Sequence, residues 1–348
     1  MFTYFIMYIV AAIAAINQAG KQARSSTVVW TFIGVGLTVI IGLRHHVGGD
    51  WNNYMRRFVE LQYLSFDEVM SISDPGYQLI SYLMNDWVWG IYAVNFLCAI
   101  IFVSGLIALL RRQFNPWLGL AVAIPYLIIV VSMGYTRQGV AIGLVMWALS
   151  ALDRGKFMHY IFFIFLAITF HKSAILMMAF GIFNKGKGKI FKILAIGLAA
   201  IGIWTAFVEE SSVDLWKNYV EAEMESQGAM IRVLLNFLPS ILLLVYRKQW
   251  KEHFNDYGLW VMIALASIVS VGLVSFASTA VDRMALYFIP IQIVVFSRLP
   301  FLARNKISPK VTTFLIILLY AFVLFVWLNF SANARYWVPY HNILLFDL

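Results

Sequence analysis

Charge, cysteine and the familiar nucleotide and metal motifs are all scarce in this chain. Only 12% of its 348 residues are Asp, Glu, Lys or Arg, while 62% are hydrophobic. A soluble domain carries about a quarter charged residues, so composition alone excludes an ordinary soluble fold. The single cysteine, Cys98, lies in an apolar run, which rules out a disulfide framework and a thiolate metal site. No GxGxxG, Walker loop, HExxH, CxxC or GxSxG is present, and the acids of the polar loops form no DxD pair. No cofactor and no metal are therefore expected. No tandem repeat is evident.

What the chain does have is long apolar runs. They fall at 2–16, 27–43, 91–110, 117–134, 138–152, 157–170, 173–184, 190–207, 230–246, 258–277, 284–297 and 311–330. Most approach the ~20 residues a bilayer span needs, which predicts an all-α, polytopic membrane protein of about twelve helices. The three runs between 138 and 184 are short, so one of them is a candidate for a re-entrant or strongly tilted segment. The first run has no basic residue before it and no small-residue cleavage site after it, and reads as a retained anchor. Residues 1–348 thus form one transmembrane domain, with 44–90 and 208–229 as partly ordered loops on one face.

Lys and Arg set the expected orientation. With loops numbered alternately, one side receives seventeen of the 26 basic residues, and the other carries fourteen of the 17 acids. The positive-inside rule makes the basic side cytoplasmic and both termini extracytoplasmic. The net charge of +9 is then mostly a topology signal, and nucleic acid is not an expected partner.

Five polar clusters open on the opposite, outer side: "GLRHHVGGDWNNY" (Arg44, Asp50, Tyr54), "GYTRQG" (Tyr135, Arg137), "FHKSA" (His171, Lys172), "STAVDRMALY" (Asp282, Arg283, Tyr287) and "NARYWVPYHN" (Arg335). Ionisable groups at helix ends inside a bundle are costly and persist where they bind or react. Arg56, Arg57 and Lys172 read as side chains reaching to lipid headgroups. Arg44, Arg137 and Arg283 each sit beside Gly, Tyr or Asp at an abrupt apolar boundary, and together suit an anionic ligand such as a phosphate. His171 is either an interfacial hydrogen-bonded residue or a base. Asp282 is either an ion-pair partner of Arg283 or a site carboxylate. Residues 209–228 form an acidic amphipathic stretch to which no chemistry is assigned.

These motifs, in this order and together with "DPGYQLI", resemble the EpsG-type group of bacterial polysaccharide polymerases, relatives of the Wzy O-antigen and capsule polymerases. The resemblance runs from about Arg44 to Tyr340. It departs at "VGGDW", where a Thr or Ser between Gly and Asp, and often Tyr after Asp, is expected. The resemblance implies a GT-C-like bundle in the bacterial inner membrane with its site facing the periplasm. It also implies transfer of a growing glycan from undecaprenyl pyrophosphate to the next lipid-linked repeat unit, with a chain-length regulator protein as a further partner. On that reading Arg137, Arg283 and Arg44 hold the pyrophosphate, and His171 or Asp50 is the base. Asp50 or Asp282 supports an oxocarbenium-like transition state, and Tyr54, Tyr135, Tyr287 and Arg335 face the sugars. A flippase or an O-antigen ligase acting on the same lipid-linked glycan are the alternatives. A flippase is less suited, because the few interior polar residues (Asn95, Asn236, Gln292) carry no charge.

Overall fold

A computed structural model describes residues 1–21, 26–183, 197, 229–275 and 278–345. The run expected at 190–207 (Gly197 apart), the basic turn 184–189 and the acidic stretch 209–228 lie outside the described residues. Helices α1 (Phe2–Asn17) and α2 (Thr27–Gly42) are followed by three short helices, α3 (Trp51–Glu60), α4 (Phe66–Ser71) and α5 (Pro75–Leu83). Next come α6 (Ile91–Leu110), α7 (Pro116–Ala123), which continues as a π-helix over Ile124–Ser132, α8 (Thr136–Asp153) and α9 (Phe157–Phe170). A 3-10 run covers Lys172–Phe183. Beyond the undescribed stretch lie α10 (Ala229–Val245), α11 (Arg247–His253), α12 (Tyr257–Leu273), α13 (Ser278–Ala285), α14 (Pro290–Leu302) and α15 (Pro309–Phe330). Among the described residues there is no strand, only one isolated bridge between Arg44 and Asn342.

Local chemistry explains where these helices start. Proline occupies the first turn of α5, α7, α14 and α15, where its missing N–H costs nothing. Asn115 caps α7 by accepting from the Leu118 amide at 3.1 Å, and Ser65 with Glu68 closes a capping box on α4. Helices α6 and α15 are long and apolar enough to cross a membrane by themselves. Two bent pairs pass the same test jointly, α10 with α11 (75°) and α13 with α14 (45°), while α1, α2, α7 with its π-continuation, α9 and α12 are apolar but shorter. Large apolar side chains stay exposed along the rim, among them Ile9 and Ile13 on α1 and Phe314, Leu318 and Phe322 on α15. A belt of that kind needs an apolar solvent, and the chain is a membrane protein.

Contacts join the helix ends into two opposite poles. At one pole the Tyr4 hydroxyl donates to the Trp337 carbonyl (2.9 Å), the Gly48 amide to the Tyr336 carbonyl (2.9 Å), and Gln138 Nε2 to the Arg283 carbonyl (3.0 Å). At the other, Asn115 Nδ2 donates to the Ala15 carbonyl (3.0 Å), Arg111 to Thr27 Oγ1 (2.9 Å), and Arg112 pairs with Asp153. The first residues and the 332–345 segment therefore share one pole with His171. Helices α6 and α8 cross closely, where a Cβ on Gly143 would come within 2.6 Å of the Phe102 Cα. Close crossings of this kind are how helices gain dispersion energy in lipid.

Two buried polar groups tie the bundle internally. Midway along it, Gln292 Nε2 donates to Asn236 Oδ1 (2.7 Å), Asn236 Nδ2 to the Ala285 carbonyl (2.8 Å), and the Tyr320 hydroxyl to Gln292 Oε1 (2.7 Å). At the far pole Arg298 is only 4% exposed. Its Nη1 donates to Asp256 Oδ1 at 2.8 Å, its Nε donates to Gln113 at 3.1 Å, and its guanidinium lies 4.3 Å from the Phe254 ring centroid. Arg298 counts toward the basic-side tally in sequence, yet it serves the interior of the bundle and not a headgroup layer.

Candidate active site

The pole that carries His171 is assembled from five separate pieces of chain. "RHHVGGD" leaves α2 as a tight loop in which His46 (φ 50) and Gly48 (φ 112) both adopt left-handed backbone. Glycine is required at position 48, because a Cβ there would run into the Met133 carbonyl. The C-terminal segment stitches the loop down, with the His45 amide donating to the His341 carbonyl (3.0 Å) and the Ile343 amide to the Leu43 carbonyl (2.9 Å). Trp337 closes the packing beneath. Its Nε1 donates to the Ile129 carbonyl of the π-helix at 2.7 Å, and its ring leaves no room for a Cβ on Gly134.

Arg44 is the keystone of this loop. It is 2% exposed. Its Nη1 donates to the Ile41 carbonyl (2.6 Å), its Nε to the Val47 carbonyl (3.2 Å), and its Nη2 to Thr136 Oγ1 (2.8 Å) and Asn95 Oδ1 (3.4 Å). Those acceptors use most of the fork's donors. The expected anion-binding role at Arg44 thus meets a guanidinium already enclosed by protein, holding α2, α6 and α8 together.

Arg137, in the first turn of α8, is half-buried and paired. Its Nη1 donates to Asp74 Oδ2 at 2.6 Å, its backbone amide donates to the Tyr54 hydroxyl at 3.4 Å, and its guanidinium lies 5.9 Å from the Tyr54 ring. Asp74 holds a left-handed conformation (φ 63) immediately before Pro75. Such strain costs on the order of 1–3 kcal/mol and concentrates at functional sites. Burial pushes the Asp74 carboxyl up, against Arg137 and the Lys172 ammonium and backbone amide, which favour its charged form. The carboxylate therefore bridges Arg137 and the residue after His171. Gly76 allows this, since any Cβ there would meet Thr169 Oγ1 at 2.5 Å on the last turn of α9.

His171 terminates α9 in extended backbone (φ −161). Its Nδ1 lies 2.5 Å from Ser173 Oγ and 3.3 Å from the Tyr287 hydroxyl. Burial, then the positive charges of Arg137, Arg283 and Lys172, push the imidazole down to about 3. It is neutral throughout the physiological range. Asp50 stands at the start of α3, within the field of Arg137 and Arg57, and burial raises its carboxyl above the ordinary range. Arg283 is exposed, and its backbone carbonyl is tied to Gln138.

The other expected site residues have different places. Asp282 forms a two-point pair with Arg232, Nε to Oδ1 at 2.5 Å and Nη2 to Oδ2 at 2.6 Å, so its ion-pair partner is on α10 and is not the adjacent Arg283. Tyr135 caps α8 and lies in the field of both Asp50 and Asp282. Tyr287 is fully enclosed (0% exposed) and serves His171 instead of an open sugar surface. Arg335 is exposed and donates to the hydroxyl of its neighbour Tyr336 at 2.9 Å, with no hydrogen bond among the described residues joining it to His171. Asp74, Ser173, Gln138 and Arg232 are the members that sequence reasoning missed, and Lys172, expected to reach to lipid headgroups, stands instead beside Asp74 and His171. Among the described residues no group of three or more His, Cys, Asp or Glu could hold a metal ion.

A half-buried array of cations around a neutral imidazole, with carboxylates on both flanks, is suited to binding an anion and moving a proton. All ten expected site residues lie inside 27–342, the stretch matched by a family model described as the EpsG family. The chain belongs to the EpsG family. No curated protein and no solved structure matches it. EpsG membership carries a polysaccharide-polymerase-like function of the glycosyltransferase kind.

Proposed function

We propose that this EpsG protein is a polysaccharide polymerase. It transfers a growing glycan from undecaprenyl pyrophosphate to the non-reducing end of the next lipid-linked repeat unit. The site faces the outside of the bacterial inner membrane, the side opposite the basic loops. The observation that carries this reading is the convergence of Arg137, Arg283 and Lys172 on the neutral His171 at one pole of the apolar bundle.

Chemistry follows from those groups. Arg137 and Arg283 hold the pyrophosphate, the two arginines offering planar forks to its oxygens. As the bond from the sugar's anomeric carbon to the phosphate oxygen breaks, the electron pair leaves with the polyprenyl pyrophosphate, and these cations take up the growing charge. The acceptor hydroxyl forms the new bond to that carbon and gives its proton to His171 Nε2, while Ser173 and Tyr287 hold Nδ1. Burial and then the same cations suppress His171's basicity, and a bound pyrophosphate offsets the cations, so the base strengthens when donor is present. Asp50 is the rival base and stabilises positive character on the sugar ring, Asp282 being paired with Arg232. Tyr54 and Tyr135 orient sugar hydroxyls, and Arg335 lies further out along the glycan. Arg44 holds the scaffold.

Glycan analysis of a deletion strain tests the reading. A lipid core capped by a single repeat supports a polymerase, whereas a bare core points to a ligase or a flippase.

A further inference from the structure

On the flank of the bundle, remote from His171, an open groove of about 500 Å³ runs between α2 and α6 and reaches Trp147 on α8. Its walls are apolar, with Val35, Ile100, Val103 and Ile107 along them. Gly34 keeps it open at its narrowest, since a Cβ there would lie 2.8 Å from Ile107 Cδ1. Along α2 the lining extends from Thr27 to Thr38, about 16 Å at 1.5 Å per residue. That is roughly one leaflet of a ~30 Å hydrocarbon core.

The two ends of the groove differ in charge. At the pole away from His171 stands Arg111, exposed and bonded through Nη2 to the neutral hydroxyl of Thr27 at 2.9 Å. Its neighbour Arg112 is compensated by Asp153, but no carboxylate contacts Arg111 in the described structure. The other end closes against Phe96 with no ionisable side chain in the lining. We propose that this groove binds one anionic phospholipid, its phosphate on Arg111 and the Thr27 hydroxyl and an acyl chain along α2 and α6. The position of the charge selects this occupant over a polyprenyl pyrophosphate, whose anionic head belongs at the opposite pole. The lipid wedges α2 against α6, two of the helices that Arg44 joins above it.

The test uses the full chain purified in detergent and phospholipids with brominated acyl chains, which quench nearby tryptophan. Quenching at the groove is read as the signal lost when Trp147 is changed to Phe. Brominated phosphatidylglycerol should quench at about fivefold lower lipid fraction than brominated phosphatidylcholine, the worth of one basic side chain near an anionic headgroup. Arg111→Gln should abolish that gap. Val35→Phe, at a side chain already 58% exposed, should reduce quenching by both lipids without harming the fold. Equal potency of the two lipids in the wild type, or a gap that survives in Arg111→Gln, would overturn the proposal. So would displacement of the brominated lipid by polyprenyl phosphate under conditions where phosphatidylglycerol fails to displace it.

Discussion

Replacing Arg137 by Lys keeps a positive charge at the start of α8 and removes the fork. In the native site Nη1 is committed to Asp74 at 2.6 Å and the Tyr54 hydroxyl lies beside the same guanidinium, so a phosphate takes up the fork's remaining donors. The Asp74 side chain is 9% exposed and its charge must stay compensated, so an ammonium at position 137 remains with it. The variant therefore loses at least one charge-assisted hydrogen bond to the leaving group. Such bonds are worth roughly 1.5–3 kcal/mol, which corresponds to about 10- to 150-fold in rate. Transfer by purified protein, with lipid-pyrophosphate-linked repeat units as substrate, should fall by that factor at unchanged thermal stability. Arg56 is exposed and, among the described residues, bonds only Asn53 Oδ1 in its own helix, so Arg56→Lys should stay within about twofold. An Arg137→Lys enzyme as active as Arg56→Lys, at equal stability, would refute the bidentate role.

Four other outcomes follow from the structure. His171→Gln should lose about 10²–10⁴-fold of chain growth while donor binding persists, because an amide holds a hydroxyl but takes no proton; if Asp50→Asn collapses and His171→Gln survives, Asp50 is the base. At limiting donor, where the rate reports the donor-free protein, the wild type should show no His171-dependent fall between pH 7.5 and 5.5, since that imidazole stays neutral down to about 3. In unfolding experiments the sign is fixed: the unfolded chain binds a proton at His171 near pH 6.5 and the folded chain does not, so stability drops as pH falls below about 6.5 and His171→Gln blunts that drop. At the far pole, Asp256→Asn should destabilise by about 3–5 kcal/mol in a thermal or denaturant melt, because Arg298 is left buried with its charge uncompensated.

Much of the scaffold is legible in the sequence because lipid-facing helices need continuous apolar runs. The expected runs at 2–16, 27–43, 91–110, 157–170 and 311–330 lie within a few residues of α1, α2, α6, α9 and α15. The run at 284–297 differs, because the chain bends by 45° between Ser278–Phe288 and Pro290–Leu302. Charge at Asp282 and Arg283 hid the first of these helices from hydropathy, yet Arg232 neutralises Asp282 within the bundle. The same blindness affected Arg298, since counting basic residues along loops does not register a partner such as Asp256, 42 positions away in the chain. At the site, the arginines and His171 stand out at apolar boundaries, but their division of labour depends on long-range pairing. Nothing local distinguishes Arg44, with its donors satisfied by protein, from Arg137, which has donors left for a ligand. Asp74 carried one weak signal, its place before Pro75-Gly76, a combination that punctuates a turn.

The central claim is most directly tested by giving the purified protein a synthetic polyprenyl-pyrophosphate-linked repeat unit and nothing else, with no nucleotide sugar. The account predicts a ladder of lipid-linked glycans rising by one repeat at a time, with one polyprenyl pyrophosphate released per bond formed, and loss of both products in His171→Gln. Absence of any ladder from well-folded protein, or transfer of the glycan only when a lipid A core is supplied as acceptor, would contradict it.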